Sequence, residues 1–256
     1  MSKAESEIKS GATEVLIEVK NVKKSFENKL VHDGINLEIR KGEILTLMGG
    51  SGSGKSVLLR SLIGLDRPDS GSITFRGTDI TKLNEQQLVA VRKKIAYVFQ
   101  YGALFDSFTV EENLAYPLRE HTKLNDEQIH NKVIATLKRL GLNGSEKLYP
   151  SDLSGGMQRR VGVARSIIMD PEVILYDEPT TGLDPYNTRQ IQKIILQNKE
   201  QGATSVLVTH DMQSIFEVTD RVAFLKNGKI AALGTAEEFR DTTDPDLKGF
   251  IHGETM

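Results

Sequence analysis

Met48-Gly49-Gly50-Ser51-Gly52-Ser53-Gly54-Lys55-Ser56 is the stretch from which the rest of the chain is read. Gly49, Gly54, Lys55 and Ser56 keep the spacing G-x-x-x-x-G-K-[ST] of a phosphate-binding loop. Before it, Ile44-Leu45-Thr46-Leu47-Met48 reads as a buried strand; after it, Val57 to Ile63 reads as a helix that starts in the loop. Triphosphate oxygens need many donors in a small space. Glycines let successive backbone N–H groups turn inward with no Cβ in the way, and a helix N-terminus adds unpaired N–H groups and partial positive charge. The pattern therefore places Gly49, Gly50, Ser51, Gly52, Ser53, Gly54, Lys55 and Ser56 against the phosphates of a nucleotide, with Lys55 on the terminal phosphates and the Ser56 hydroxyl on Mg²⁺. The flanking strand and helix favour this over an ordinary glycine-rich turn.

The chain has 256 residues, enough to bury a sizeable core without staples. It contains no cysteine, which excludes a disulfide framework, thiol catalysis and cysteine-ligated metal. A formal charge of −2 argues against a basic nucleic-acid footprint. No apolar run approaches the roughly 18 residues that cross a bilayer. Residues 1–13 are polar, lack the apolar stretch of a secretory signal and are expected as a disordered tail. A cytoplasmic protein that reaches a membrane only through a partner is the expectation.

Outward from the loop, apolar periodicity predicts an α/β fold with a parallel sheet. Val15 to Val19 is an expected strand, with Phe26 in a polar loop after it. Ile35, Leu37 and Ile39 alternate as a half-buried strand, and Ser72 to Phe75 and Ile95 to Phe99 are further strands. From Tyr101 to about Ile168 there is no strand signal. A short helix over Val110 to Leu114, a longer one over Asn125 to Leu140 and a third opened by Ser154 make this a helical insertion between two strands. Val173-Ile174-Leu175-Tyr176 is continuous and apolar, as in the middle of a parallel sheet. Asp184-Pro185 opens a helix, Val206 to Thr209 is a strand ending at His210, and Asn227-Gly228 turns a hairpin. Thr235 and Glu238 form a capping box for a short final helix.

Two further stretches carry chemistry. Asp177-Glu178 ends the apolar strand. Beside a phosphate loop, a carboxylate there holds Mg²⁺, and the next one, pointing to the other side of an extended chain, can polarise an attacking water. Leu153-Ser154-Gly155-Gly156-Met157-Gln158 opens a helix with two poor helix formers, which makes sense if backbone N–H groups and the Ser154 hydroxyl approach an anion.

Gly49 to Ser56, Gln100, Leu153 to Gln158, Tyr176 to Pro179, Gly182-Leu183-Asp184 and Thr209-His210-Asp211 occur in the order of the ATP-binding-cassette (ABC) ATPases, which the chain resembles from Val15 to Gly234. The resemblance implies a P-loop ABC-type nucleotide-binding domain over residues 14–240. Its parts would be a RecA-like core, an N-terminal antiparallel β subdomain and the inserted helical subdomain over residues 101–168, followed by a short tail, 241–256. It also implies roles: Phe26 stacking on adenine, where the family more often has Tyr; Gln100 touching Mg²⁺ and the attacking water; Asp177 on the metal; Glu178 as general base; His210 on the γ-phosphate; Asp184 across a dimer interface. Catalysis would rest on Glu178, His210, Gln100 and Lys55. The other histidines, His32, His121, His130 and His252, match nothing in the family and are expected at the surface. In ABC ATPases two cassettes pack head to tail, so Ser154-Gly155-Gly156 of one copy would cap the ATP held by the other.

The stretches Phe99 to Asp106 and Thr109 to Thr122, with Met157 in the signature, resemble the Mla-type ATPases of Mce-associated phospholipid trafficking in Gram-negative envelopes. That implies an ATPase on the cytoplasmic face of the inner membrane, working through an integral permease and an Mce-type lipid-binding protein, with no nucleic acid. Tyr101, Leu104, Phe105 and Phe108 place apolar side chains where a permease would dock, or else pack inside the helical block. An ABC importer ATPase for an amino acid or another polar solute is the first alternative, and a non-transport ABC protein the second. The stretch Asp244 to Ile251 is a candidate for packing on a partner cassette.

Overall fold

A computed structural model describes residues 14–27 and 29–253; the expected tail at 1–13 lies outside the described residues. In chain order the strands are β1 (Val15–Phe26), β2 (Lys29–Arg40), β3 (Ile44–Met48), β4 (Ser70–Phe75), β5 (Thr78–Asp79), β6 (Ile95–Val98), β7 (Val173–Asp177), β8 (Thr204–Val208), β9 (Arg221–Lys226) and β10 (Lys229–Thr235). The helices are α1 (Lys55–Ser61), α2 (Glu85–Arg92), α3 (Val110–His121), α4 (Asp126–Arg139), α5 (Gly155–Ile167), α6 (Pro185–Glu200), α7 (Met212–Val218), α8 (Ala236–Arg240) and α9 (Pro245–Ile251).

Two sheets organise the chain. An antiparallel sheet has the order β2-β1-β4-β5, and a six-stranded sheet the order β10-β9-β3-β8-β7-β6. In the second, β9-β3-β8-β7-β6 are parallel and only β10 runs the other way. Alternate residues of its strands enter different cores. Leu45, Leu47, Leu175, Val206 and Val208 join the antiparallel sheet, α1 and α2. Ile44, Ile174, Tyr176 and Leu207 join α3 to α6. Burial on both faces is why these strands read as unbroken apolar runs.

Phe26 is not in a loop, because β1 runs on to it. A bulge explains the misreading: Asn21 has φ 47° and the pairing shifts between Val19 and Val22, which breaks the period of two. The insertion between β6 and β7 is helical among the described residues. Its first helix, α3, is longer than expected and contains Pro117. Capping boxes at Thr109–Glu112 and Asn125–Gln128 start α3 and α4. Asn113 is wholly buried. Its amide donates to the carbonyls of Phe105, Phe108 and Thr109, and its Oδ1 accepts from the Phe105 N–H, which fixes the loop before α3.

The helix capped by Thr235 is not the last. After it, α9 packs on its own chain: Phe250 lies 5.1 Å from Phe224, and Lys226 pairs with Asp246 at 2.6 Å. No helix among the described residues is long and apolar enough to cross a membrane.

Candidate functional site

The carboxyl ends of adjacent parallel strands form an edge where ligands settle in open α/β sheets. Here β3 ends in the glycine loop, β8 in Thr209-His210, β7 in Asp177-Glu178, and β6 leads into Phe99-Gln100. The topology thus gathers segments that are more than a hundred residues apart in sequence. They line a cavity of about 610 Å³ with Gly49, Ser51, Gly52, Gly54, Lys55 and Ser56 on one side and Gln100, Glu178 and His210 on the other. Val31, Val57 and Arg60 complete the lining. Gly50 and Ser53 face a neighbouring cavity of about 570 Å³ that the loop shares.

Gly49, Gly52 and Gly54 have φ of 158°, 73° and 100°, and the last two lie where L side chains are strained. Lys55, the first residue of α1, folds back over the loop. Its Nζ donates to the carbonyls of Gly49 and Gly50 at 2.8 and 3.0 Å. The side chain is 9% exposed and forms no ion pair with any described residue. Burial lowers its pKa, while the charges of Glu178 and Asp177 oppose that shift. The Ser53 hydroxyl is also buried and has no partner among the described residues. A buried ammonium lacking a counter-anion and an orphaned hydroxyl in one loop are the donor set a phosphate would satisfy.

Next to the ammonium, Ser56 Oγ donates to Asp177 Oδ1 at 2.8 Å, and Tyr97 Oη donates to Asp177 Oδ2 at 2.6 Å. A hydroxyl and a carboxylate side by side suit a hard cation that takes most of its ligands from phosphate and water, as Mg²⁺ does. Glu178 is held at both oxygens. His210 Nδ1 lies 2.9 Å from Oε1, and Thr181 Oγ1 donates to Oε2 at 2.9 Å. The separation of Asp177 from Glu178 does not come from strand alternation alone. Glu178 has φ 50°, a left-handed turn that sends its carboxylate into the cavity while Asp177 stays behind Ser56.

Five other expected contact residues do not line this cavity. Phe26 is 44% exposed, with the Lys24 ammonium 5.0 Å above its ring. Ser154 caps α5, accepting from Met157 N at 3.3 Å. Asp184 caps α6 through Asn187 N at 2.9 Å, and that hydrogen bond holds its carboxyl below the usual range. Gly155 and Gly156, expected to act together, differ. A Cβ on Gly155 meets nothing within 4 Å, whereas one on Gly156 would come 2.1 Å from Asn187 Oδ1. Gly156 is thus a packing contact to the start of α6, and Gly155 keeps its backbone open.

His121, His130 and His252 are exposed as expected, but His32 is wholly buried. Its Nε2 lies 3.0 Å from the Gly54 carbonyl oxygen, and Nδ1 has no partner among the described residues. The alternation of Ile35, Leu37 and Ile39 extrapolates His32 outward; Gly34, at φ 82°, shifts the phase and turns it inward beneath the phosphate loop. Burial lowers its pKa, so the folded protein keeps it neutral. Tyr97, Thr181 and His32 carry no local sequence signal as site residues. They are found only once β6 stands beside β7 and β2 brings His32 to the Gly54 carbonyl.

Two measurements check this packing. In chemical denaturation Gly156→Ala loses about 1–3 kcal/mol by overpacking against Asn187, while Gly155→Ala loses none and so separates the two glycines. For His32, the unfolded imidazole takes up a proton below about pH 6.5 and the folded one resists it, so stability falls as pH drops through that range. The unfolding midpoint of His32→Gln therefore falls less between about pH 7.5 and 5.5 than that of the parent chain.

The model of the "ABC transporter" family matches residues 32–181. The chain is 39% identical, over 94% of its length and 91% of the relative's, to the intermembrane phospholipid transport system ATP-binding protein MlaF of Haemophilus influenzae. It is 40% identical, over 94% of its length and 70% of the relative's, to the probable ribonucleotide transport ATP-binding protein mkl of Mycobacterium leprae. A dimeric ATP-binding cassette in a post-hydrolysis state with ADP and Pi superposes with a TM-score of 0.80 at 31% identity, covering 86% of this chain and 99% of that one. The cavity, its phosphate loop and these similarities lead to one statement: the chain belongs to the ABC transporter family and is one of its ATP-binding, ATP-hydrolysing cassettes.

Proposed function

We propose that this cassette drives a phospholipid transporter of the Mla type. In this reading it works as a head-to-tail homodimer on the cytoplasmic face of the inner membrane, through a separate permease and with an Mce-type lipid-binding protein. Residues 14–240 act as one unit, with 101–168 as its helical insertion. The observation that carries the ATPase chemistry is the buried Lys55 ammonium with no ion pair among the described residues, flanked by Ser56–Asp177 and facing Glu178.

Mg²⁺–ATP, when bound, would supply an electrophilic terminal phosphorus, the metal drawing negative charge off the phosphate oxygens around it. The chain's own residues do the rest. The loop N–H groups and Lys55 grip the phosphates, and Phe26 meets the adenine. Ser56, Asp177 and Gln100 hold the metal side. Glu178 accepts the proton of the attacking water at the carboxylate that His210 and Thr181 orient. His210, which lines the cavity, meets the γ-phosphate. Ser154, Gly155, Gly156 and Asp184 lie outside that cavity and serve the partner's nucleotide.

The permease reading is supported by exposed aromatics next to Gln100. Tyr101 is 81% exposed, and Phe105 packs 5.1 Å from Phe108 and 5.4 Å from Tyr116. Of these, Tyr116 also lines a groove of about 440 Å³ together with Phe99 and Arg165, and the Arg165 guanidinium lies 4.4 Å from the Phe105 ring. Two relatives of nearly equal identity have names with different cargoes, phospholipid and ribonucleotide, so a polar solute is the second reading. Phospholipid is favoured because the chain spans 91% of the phospholipid-system relative and 70% of the other. Recovery of phospholipid with the assembled complex supports the first reading, and recovery of a polar solute with a soluble receptor supports the second.

Glu178→Gln keeps the geometry and removes the base. Nucleotide affinity, read by fluorescence of a labelled ATP, stays within about twofold, while steady-state hydrolysis falls by roughly 10²–10⁴. Undiminished hydrolysis would remove Glu178 from the role of base.

A further inference from the structure

Tyr97 belongs to none of the motifs that carry the family resemblance, yet its hydroxyl makes the shorter of the two hydrogen bonds on Asp177. It stands on β6, three residues before Gln100, and β6 pairs in parallel with β7. Its phenol is 9% exposed, and its ring lies 4.5 Å from that of Phe99. Burial first, and then the Asp177 carboxylate, push the phenol far above its ordinary value, so the hydroxyl remains a donor.

A carboxylate with one fixed oxygen can still rotate about χ2. Asp177 cannot: Ser56 takes Oδ1 from the phosphate-loop side and Tyr97 takes Oδ2 from the β6 side. If the Ser56 hydroxyl turns to a cation, the Ser56 bond to Asp177 is given up. The Tyr97 bond then remains as the one that fixes the carboxylate plane. We propose that Tyr97 is a positioning residue for Asp177, holding that carboxylate oriented for Mg²⁺ after Ser56 has turned away. This rests on the assignment of Asp177 to the metal. Tyr97 also lies in the groove lined by Phe99 and Tyr116, so the same side chain touches the groove and the metal-facing carboxylate.

The test is Tyr97→Phe in the full chain, which keeps the ring on Phe99 and removes the hydroxyl. Three quantities are read: labelled-ATP affinity in EDTA, labelled-ATP affinity across a Mg²⁺ titration, and the melting temperature. The metal-free affinity stays within twofold. The Mg²⁺ concentration that half-saturates the metal-dependent gain rises roughly tenfold, the low end for loss of a group supporting a metal ligand, because the phosphates supply most of the ligands. An unchanged Mg²⁺ midpoint overturns the proposal, and so does an equal loss with and without metal, which is the mark of a merely structural role. Asp177→Asn separates the premises. If Asp177→Asn leaves the Mg²⁺ midpoint where it was, the metal assignment fails. If it raises the midpoint and Tyr97→Phe does not, the Tyr97 proposal fails alone. In the double variant Tyr97→Phe adds nothing to Asp177→Asn; an additive shift overturns action through Asp177. Should Tyr97→Phe melt too low for titration, replacing Tyr97 by para-aminophenylalanine, which keeps the ring and puts an N–H donor where the hydroxyl stood, recovers the parent midpoint; failure to recover it overturns the proposal.

Discussion

The Lys55 ammonium is buried against two backbone carbonyls and has no carboxylate of its own among the described residues. Removing a charge from water without pairing it is expensive, and a fold bears that cost only where something else depends on it. The rest of the site follows from this constraint. Asp177 and Glu178 are close enough to oppose the pKa shift that burial imposes on Lys55, yet each is engaged elsewhere, by Ser56 and Tyr97 or by His210 and Thr181. The ammonium is thereby kept for an anion from solution. The parallel sheet exists to hold these groups at one edge, and both of its faces are buried so that the edge is rigid.

The helical insertion is tied to that edge by backbone contact rather than by side chains alone. A Cβ on Gly162 of α5 would lie 2.5 Å from the Gly102 Cα, so the segment after Gln100 rests directly on the helix that Ser154 begins. From the same helix, Arg159 donates to the Thr181 carbonyl at 3.0 Å, next to the hydroxyl that holds Glu178. The open backbone at Gly155, the loop at Gln100 and the carboxylate at Glu178 therefore lie along one chain of contacts.

Much of this was legible in the sequence because function there constrains residue type over short spans. A glycine loop followed by Lys55-Ser56, a carboxylate pair after an apolar strand and a Ser-Gly-Gly helix start are local patterns, and the topology put the first two together, Glu178 in the cavity of the loop and Asp177 on Ser56. What stayed hidden depends on register or on contact between distant segments. The bulge at Asn21 masked the far half of β1, and Gly34 turned His32 inward against the alternation of its neighbours. Tyr97 reads as one apolar residue in a buried strand until β7 is beside it. Gly156 reads as a partner of Gly155 until Asn187 is seen above it.

In the proposed head-to-tail dimer, the phosphate edge of one copy is half a site, completed by the Ser154-Gly155-Gly156 segment of another. Because the chain has no cysteine, a single introduced pair can report on this without background. A Ser51→Cys chain and a Gly155→Cys chain are mixed, oxidised with and without ATP, and followed on non-reducing gels. The account predicts a covalent dimer in the mixture that depends on ATP and is absent from either chain alone. ATP binding without that cross-link, or a cross-link equally strong without nucleotide, would contradict it.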